Sequence, residues 1–165
     1  SSDLAMMELG FRLLNDIVWE KPNPPPNLGC RCFTHSTELL LWASKSQKGD
    51  RARYTFNYKD MKQVNGGRQM KNVWRLTAPG QKEKIHGRHP TQKPLSLIER
   101  CLLASTQPGD SVLDPFAGSG STGVAALSCG RNFLGSEIDP AYVKLAITRL
   151  TAAEHDAQVT ESASC

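Results

Sequence analysis

The sequence lacks any run of 18 consecutive apolar residues, so we expect no helix that spans a membrane. We also expect no secretory leader, because the chain starts Ser1-Ser2-Asp3 without a basic and then apolar stretch. No initiator methionine is present, so either it was removed before Ser1 or the chain begins inside a longer protein. The 165 residues have the length of one domain with a core of its own.

Cysteines are few and follow no disulfide pattern. The five of them are Cys30, Cys32, Cys101, Cys129 and Cys165. An odd, unpatterned set favours reduced thiols, and we therefore expect a cytoplasmic protein. Cys30, Cys32 and His35 are close enough in sequence to suggest a metal site. A second pair of ligands is missing, however, and zinc usually takes four, so we predict no metal site.

Positive charge is concentrated in one segment. Residues 45–93 hold 13 lysines and arginines against three acids, a net charge of +10, whereas the rest of the chain carries −6. Aromatic residues are interleaved with these charges, a pattern typical of nucleic-acid binding. The alternative is an ordinary solvated surface. We expect the segment to bind DNA phosphates, with an affinity that falls steeply with salt.

The glycine-rich stretch Ser111–Asp139 dominates the rest of the chain. A short apolar run at Ser111–Leu113 precedes a G-x-G-x-x-G loop, Gly118–Gly123, and a helix pattern follows. Glu137 comes 17 residues after Gly120, near the spacing at which a carboxylate meets ribose hydroxyls. The pattern predicts an adenosine-type cofactor. The glycines alone do not separate NAD from S-adenosylmethionine, and a glycine turn that serves only packing is the simpler alternative.

Hydrophobic patterns and turn residues predict the secondary structure around this stretch. We expect strands at 11–19, 38–43 and 111–114, a strand at 131–135, and short strands at 54–58 and 73–76. Helices are expected at 3–9, after Pro94, after the glycine loop with Ser121 or Thr122 as its cap, and after Pro140. The last residues turn to Ala, Ser, Thr and Glu, where we expect fraying.

Two motifs together resemble a known family. The segments HPTQKP at residues 89–94 and DPFAGSG at residues 114–120 are similar to those of bacterial amino-methyltransferases that modify DNA. A recognition region, then HPTQKP, then the glycine loop is the order of their β-class. Residues 16–24, 35–45 and 54–58 resemble further blocks of that class. The whole pattern looks most like the adenine-N6 enzymes that recognise GANTC.

This resemblance assigns roles to individual residues. S-adenosylmethionine would be bound by the following set: Thr91, Lys93, Asp114, Phe116, Ala117, Gly118, Gly120, Glu137 and Ile138. Glu137 would hold the ribose hydroxyls, Ile138 would flank the adenine, and Thr91 and Lys93 would approach the carboxylate of the cofactor. Double-stranded DNA would be bound by a second set: Arg51, Arg53, Lys59, Lys62, Arg68 and Lys71.

The catalytic signature of the family is absent. That signature is Asp, Asn or Ser, then Pro-Pro, then Tyr, Phe or Trp, and its aromatic ring stacks on a flipped base. Asn23-Pro24-Pro25-Pro26 imitates it, but Pro26 has no aromatic ring, so we assign no catalytic residue. We expect the chain to be the C-terminal portion of an enzyme whose tetrad lies in a preceding segment or in a second chain.

The implied fold is α/β, a Rossmann-like S-adenosylmethionine-dependent methyltransferase fold that is incomplete because two central strands are missing. We expect residues 1–44 to belong to its sheet, 45–88 to a basic target-recognition region, 89–152 to the cofactor-binding portion, and 153–165 to a flexible tail.

The implied function is site-specific DNA methylation at adenine N6. Three alternatives stay open: a cytosine-N4 enzyme, a non-catalytic half that needs a partner, and a nicotinamide-dependent enzyme. The last leaves HPTQKP and the basic segment unexplained.

Overall fold

The computed structural model describes residues 2–45 and 54–162. The chain forms two compact units, Ser1–Thr77 and Ala78–Cys165. This boundary falls inside the predicted recognition region 45–88, and the division of the chain by function stays a prediction. Among the described residues, no helix combines the length and the apolar character that crossing a bilayer requires.

The first unit is built on a three-stranded sheet. Its elements are α1 (Ser2–Glu8), β1 (Arg12–Glu20), β2 (Thr37–Ser44), α2 (Tyr58–Val64) and β3 (Val73–Arg75). The strand order is β2-β1-β3, in which β2 is antiparallel and β3 parallel to β1. The helix at the start and the strands predicted at 11–19, 38–43 and 73–76 are therefore confirmed, with no boundary shifted by more than one residue.

Alternation along β1 builds the core of this unit. Ile17 and Trp19, two residues apart, are buried on one face of the strand, as the period of a β-strand requires. Met61 of α2 and Trp74 of β3 are also buried. The indole N–H of Trp19 donates to the Leu76 carbonyl at 2.8 Å, which satisfies a polar group that would otherwise be costly to bury.

The predicted short strand at residues 54–58 is wrong. Residues 54–57 are irregular, and Tyr58 begins α2 instead. The aromatic side chains of this segment cluster with Trp42, whose ring centroid lies 5.8 Å from that of Tyr54 and 5.3 Å from that of Phe56. Aromatic residues are common in strands, but here their rings pack against Trp42 while the backbone stays irregular.

The second unit contains a parallel strand pair joined by a helix. A short 3-10 turn (Gln81–Lys84) and α3 (Leu95–Ser105) precede β4 (Ser111–Asp114), α4 (Ser121–Ser128), β5 (Asn132–Gly135) and α5 (Pro140–Ser162). Leu113 of β4 is paired with Leu134 of β5. The strand–helix–strand order predicted around the glycine loop is confirmed, and so is the helix after Pro140.

Close approach between helices and strands sets the core of the second unit. Leu102, Ala125 and Ala126 are buried together, with Val112 and Phe133 packed against them. Helix α4 approaches its neighbours closely at Gly123. A β-carbon added there would lie 2.5 Å from Leu150 and 2.6 Å from Phe133. Any residue larger than glycine would force these two side chains to move.

Helix α5 continues to Ser162 and so runs into the segment 153–165, for which the sequence predicts a flexible tail. The residues that were expected to fray are helical as far as Ser162. The mobility of the segment stays a prediction.

The described residues form two small sheets rather than one. Strand β4 pairs with β5 alone in this part of the chain, and the paired residues Leu113 and Leu134 are about two-thirds exposed, at 67% and 68%. Parallel strands are normally covered on both faces. The small number of strands in the described residues agrees with an incomplete Rossmann-like α/β fold.

Candidate functional site

The loop that follows β4 is shaped by Asp114. Its Oδ1 accepts the backbone N–H of Phe116 at 3.0 Å, and its Oδ2 accepts the hydroxyl of Thr122 at 2.6 Å. The prediction that Ser121 or Thr122 caps α4 is wrong. Gly120, in the left-handed conformation, begins the helix without a side-chain cap, and Thr122 reaches back to the strand end instead.

Glu137 joins the loop to the end of β5. Its Oε2 accepts the N–H of Gly118 at 2.8 Å, while its Oε1 accepts those of Ile138 at 2.9 Å and Asp139 at 3.0 Å. These bonds lower the pKa of the Glu137 carboxyl, with the largest contribution from the Asp139 N–H and the next from the Gly118 N–H. The carboxylate is therefore ionised at neutral pH, and of its roughly four lone-pair sites about one, on Oε2, is left for a further donor.

The two strand ends are also tied through their backbones. Ser136 N–H donates to the Asp114 carbonyl at 3.0 Å, and Ala117 N–H donates to the Ser136 carbonyl at 2.8 Å. Two large apolar side chains stand exposed beside these bonds, Phe116 at 86% and Ile138 at 96%. The carboxyl ends of β4 and β5 thus bring together Asp114, Ala117, Gly118 and Glu137. Open α/β sheets bind ligands at this end of their strands.

His89 forms one wall of the loop. Gly118 has φ +53°, and a β-carbon there would lie 3.3 Å from Nε2 of His89, so both backbone angle and space favour glycine. The His89 ring packs edge-on against Tyr142, with centroids 4.2 Å apart. Thr91 is held close by, because its N–H and its hydroxyl both lie 3.3 Å from Nδ1 of His89. Lys93 is exposed two residues further along.

Three residues of this site were missed by sequence reasoning. His89 lies in the HPTQKP segment, and its position there was the available signal. Tyr142 and Arg149 lie on α5, where the apolar stripe pointed to packing alone. Nη1 of Arg149 donates to the carbonyl of Ser119 in the glycine loop at 2.6 Å. Helical periodicity gives no signal for a buried charged residue.

Four of the six predicted DNA-contacting residues lie exposed in the first unit. Lys59 and Lys62 are on α2, and Arg68 and Lys71 follow in the loop before β3. Arg51 and Arg53 fall outside the residues that the structure describes. The loop is anchored at both ends. The Asn65 side chain donates to the carbonyls of Arg68 and Gln69, and the Trp74 indole donates to that of Lys71.

The tetrad look-alike Asn23–Pro26 lies in the irregular segment between β1 and β2. This segment is closed at its base by a hydrogen bond from Lys21 N–H to the Ser36 carbonyl at 2.7 Å and by an ion pair between Lys21 and Glu38. Within residues 2–45 and 54–162, no group of three or more metal-ligating side chains is close enough to hold an ion. Cys30 and Cys32 are exposed free thiols.

A model of the DNA methylase family matches residues 1–148. The chain belongs to this family. Among curated relatives, it is 52% identical over 152 residues to the type II methyltransferase M2.DpnII of Streptococcus pneumoniae, covering 92% of this chain and 56% of that protein. It is 49% identical over 145 residues to the type II methyltransferase M2.MboI of Moraxella bovis, covering 88% and 52%. The chain therefore spans about half the length of these DNA methylases.

Solved DNA methylase structures share its fold. The complex of M1.HpyAVI with SAM matches with a TM-score of 0.70 and 37% identity, covering 88% of this chain and 65% of that one. The cytosine-N4-specific PvuII DNA methyltransferase matches with a TM-score of 0.75 over 94% of this chain and 61% of that one. At 20% identity, the second match speaks for the fold alone. The α/β, Rossmann-like methyltransferase fold expected from the sequence is confirmed.

Proposed function

We propose that this chain binds S-adenosylmethionine at the glycine loop and carries the cofactor and DNA-recognition parts of a DNA adenine-N6 methyltransferase. The single observation that carries the proposal is the bond from Gly118 N–H to Glu137. It holds an ionised carboxylate against a glycine loop at the carboxyl ends of adjoining parallel strands, in a chain of the DNA methylase family. Nucleotide-type ligands bind at this position of an open α/β sheet.

The residues around the loop suit the parts of this cofactor. The lone pair left on Oε2 of Glu137 would accept a ribose hydroxyl, and the exposed apolar side chain of Ile138 would lie against the adenine. The exposed ring of Phe116, with Ala117, Gly118 and Gly120, would line the pocket for the methionine portion. Asp114 would contribute by fixing the loop, because both of its oxygens accept hydrogen bonds there.

Two residues of the HPTQKP segment would bind the methionine end. Thr91 is held by His89, whose ring lies 3.3 Å from the place that a β-carbon of Gly118 would take, so the Thr91 hydroxyl is kept near the loop. The ammonium of Lys93 would attract the carboxylate of the cofactor. When bound, S-adenosylmethionine supplies an activated methyl group, and the residues of this chain bind and orient it.

The basic surface of the first unit would bind the DNA backbone. Lys59, Lys62, Arg68 and Lys71 are exposed on one helix and the loop that follows it. Lysine and arginine contacts to phosphates supply most non-specific affinity and fix the register of a protein on DNA. Arg51 and Arg53 are also predicted to contact phosphates. The motifs of the sequence resemble GANTC-recognising enzymes, so duplexes that contain GANTC are the first substrates to test.

Methyl transfer needs more than this chain carries. In the proposed reaction, the methyl group would pass to the exocyclic amine nitrogen of the target base, the sulfur would leave as a neutral thioether, and the amine would release a proton to water. A tetrad of the (Asp/Asn/Ser)-Pro-Pro-aromatic type would accept hydrogen bonds from that amine, and the sequence contains none. We propose that a preceding segment or a second polypeptide supplies it.

The alternative is a half that binds DNA and cofactor without catalysis. Transfer of a tritiated methyl group to unmethylated DNA should be measured with the chain alone and with a tetrad-bearing polypeptide. We expect incorporation only in the combined sample. Incorporation by the chain alone would contradict the need for a partner, and none in either sample would favour the non-catalytic alternative. Chromatography of the methylated nucleosides distinguishes N6-methyladenine from N4-methylcytosine.

Cofactor binding is tested by calorimetry on the full chain. We expect S-adenosylmethionine to bind and NAD not to bind. Glu137→Gln should weaken binding, because it removes the charge beside the ribose site. The matched control is Asp110→Asn. The carboxylate of Asp110 also accepts a backbone N–H, from Gln107 at 2.8 Å, but precedes β4 at the opposite strand end. Equal effects of the two substitutions would contradict the proposed site.

A further inference from the structure

Arg149 of α5 is a charged residue in the interior of the second unit. Only 5% of it is exposed. Its Nη1 lies 2.6 Å from the carbonyl oxygen of Ser119, 2.9 Å from the Ser119 hydroxyl and 3.0 Å from the Ser121 hydroxyl. All three acceptors belong to the glycine loop or to the first residue of α4.

Burial of a guanidinium is costly unless hydrogen bonds and charges compensate it. Desolvation lowers the pKa of Arg149, and the charge of Glu83 raises it. The hydrogen-bond partners described for its Nη1 are neutral groups of one loop. Arg149 therefore stabilises the local conformation of the glycine loop.

The loop that Arg149 contacts has an uncommon backbone. Gly118 and Gly120 both have positive φ angles, +53° and +73°. Glu137 accepts the Gly118 N–H on one side, and Arg149 donates to the Ser119 carbonyl on the other. One turn before Arg149 on α5, Ala146 lies against Gly120, where an added β-carbon would meet it at 3.0 Å. The loop is thus held between the carboxylate and one face of α5.

We propose that Arg149 is a positioning residue for the cofactor loop, holding the Ser119 peptide so that the loop is preorganised for S-adenosylmethionine. This inference rests on the proposed function of the loop. Arg149 acts through Ser119 and Ser121 and touches no reacting atom. Preorganisation raises affinity by removing the ordering cost at the moment of binding.

The chain offers a matched control in Arg131. This arginine is also buried, at 7%, and also bonds to backbone, through the carbonyls of Thr106 and Cys129 and the hydroxyl of Thr106. It precedes β5, at the opposite end of the strand from Glu137. Replacing it removes a buried, hydrogen-bonded guanidinium of the same unit without touching the glycine loop.

The experiment compares Arg149→Met and Arg149→Lys with Arg131→Met and Arg131→Lys in the full chain. Calorimetry measures the affinity for S-adenosylmethionine, and urea unfolding measures the stability. Hydrogen exchange without cofactor measures the protection of the loop amides. We expect Arg149→Met to weaken cofactor binding about tenfold or more and Arg149→Lys to restore part of it, since lysine keeps the charge but not the fork of donors. The Arg131 variants should lose stability but bind the cofactor as the wild type does.

A third variant covers the case in which Arg149→Met does not fold. Ser121→Ala removes one acceptor hydroxyl and leaves the guanidinium bonded to Ser119, so a few-fold loss of affinity and faster loop exchange are expected. Equal losses for Arg149 and Arg131 variants, or unchanged loop exchange in Arg149→Lys and Ser121→Ala, would overturn the inference. Wild-type protein that ignores S-adenosylmethionine would instead overturn the proposed function, while loop exchange still reports on Arg149.

Discussion

Replacing Gly120 by alanine tests the contact between the glycine loop and α5. Gly120 has φ +73°, and an added β-carbon would lie 3.0 Å from the Ala146 β-carbon and 3.1 Å from its α-carbon. The second of these atoms is helix backbone, which no rotamer change can move away. The substitution therefore forces either the loop or α5 to shift.

The size of the effect follows from two contributions. A left-handed backbone costs a residue with a β-carbon about 1–2 kcal/mol relative to glycine. Overpacking against a rigid neighbour adds about 1–3 kcal/mol. Gly109→Ala supplies the control, because Gly109 has a similar φ of +84° and nothing within 4 Å of the added carbon. It should lose only the first amount, whereas Gly120→Ala should lose about 2–5 kcal/mol.

The assay uses urea unfolding with two probes. The three tryptophans, Trp19, Trp42 and Trp74, all lie in the first unit, so their fluorescence reports on that unit. Far-ultraviolet circular dichroism is weighted toward α3, α4 and α5, the longer helices of the second unit. The substitutions should shift the transition seen by circular dichroism, and Gly120→Ala should also weaken S-adenosylmethionine binding.

The comparison between the two glycines decides the outcome. If Gly120→Ala costs no more than Gly109→Ala, the loop does not lie against α5 as described. A large loss of stability in Gly120→Ala with unchanged cofactor affinity would contradict the link between loop geometry and binding. Gly109 and Gly120 lie on opposite sides of β4, so only Gly120→Ala is expected to affect cofactor binding.

Four further predictions concern other properties of the chain. Burial raises the pKa of the Cys101 thiol to about 11, so alkylation at mildly alkaline pH, mapped by mass spectrometry, should modify Cys30 and Cys32 and spare Cys101 until urea is added. The same shift makes Cys101→Ala less sensitive to alkali, since the wild type should lose about 2–3 kcal/mol of stability as the pH rises from the unfolded pKa through the folded one. Alanine substitution of Lys59, Lys62, Arg68 and Lys71 should make the plot of log DNA affinity against log salt less steep, by up to about 4 in slope. An unchanged slope would show that this surface does not contact the DNA phosphates. Because backbone N–H groups lower the pKa of Glu137, the stability advantage of the wild type over Glu137→Gln should be constant above the ordinary carboxyl pKa and decline as the pH falls from that value through the lower folded one.

Local patterns were sufficient for most of the secondary structure. The alternation of apolar residues in β1, the glycines after β4 and the prolines before α3 and α5 act within a few residues of themselves, so sequence spacing carries their information. The strand predicted at Tyr54–Tyr58 was wrong because its aromatic side chains found a partner in Trp42, a residue distant in sequence. The predicted cap at Ser121 or Thr122 was wrong because Thr122 bonds to Asp114 instead.

The sequence by itself determined the family, the glycine loop and the acid that follows it, because these depend on residue types at short, fixed spacings. Only the tertiary structure decided which side chains hold the loop. His89, Tyr142 and Arg149 come to it from a preceding segment and from α5, across distances along the chain that no local pattern encodes. The residue type does not tell whether an arginine is buried or exposed, because its burial depends on the neighbours that folding brings around it.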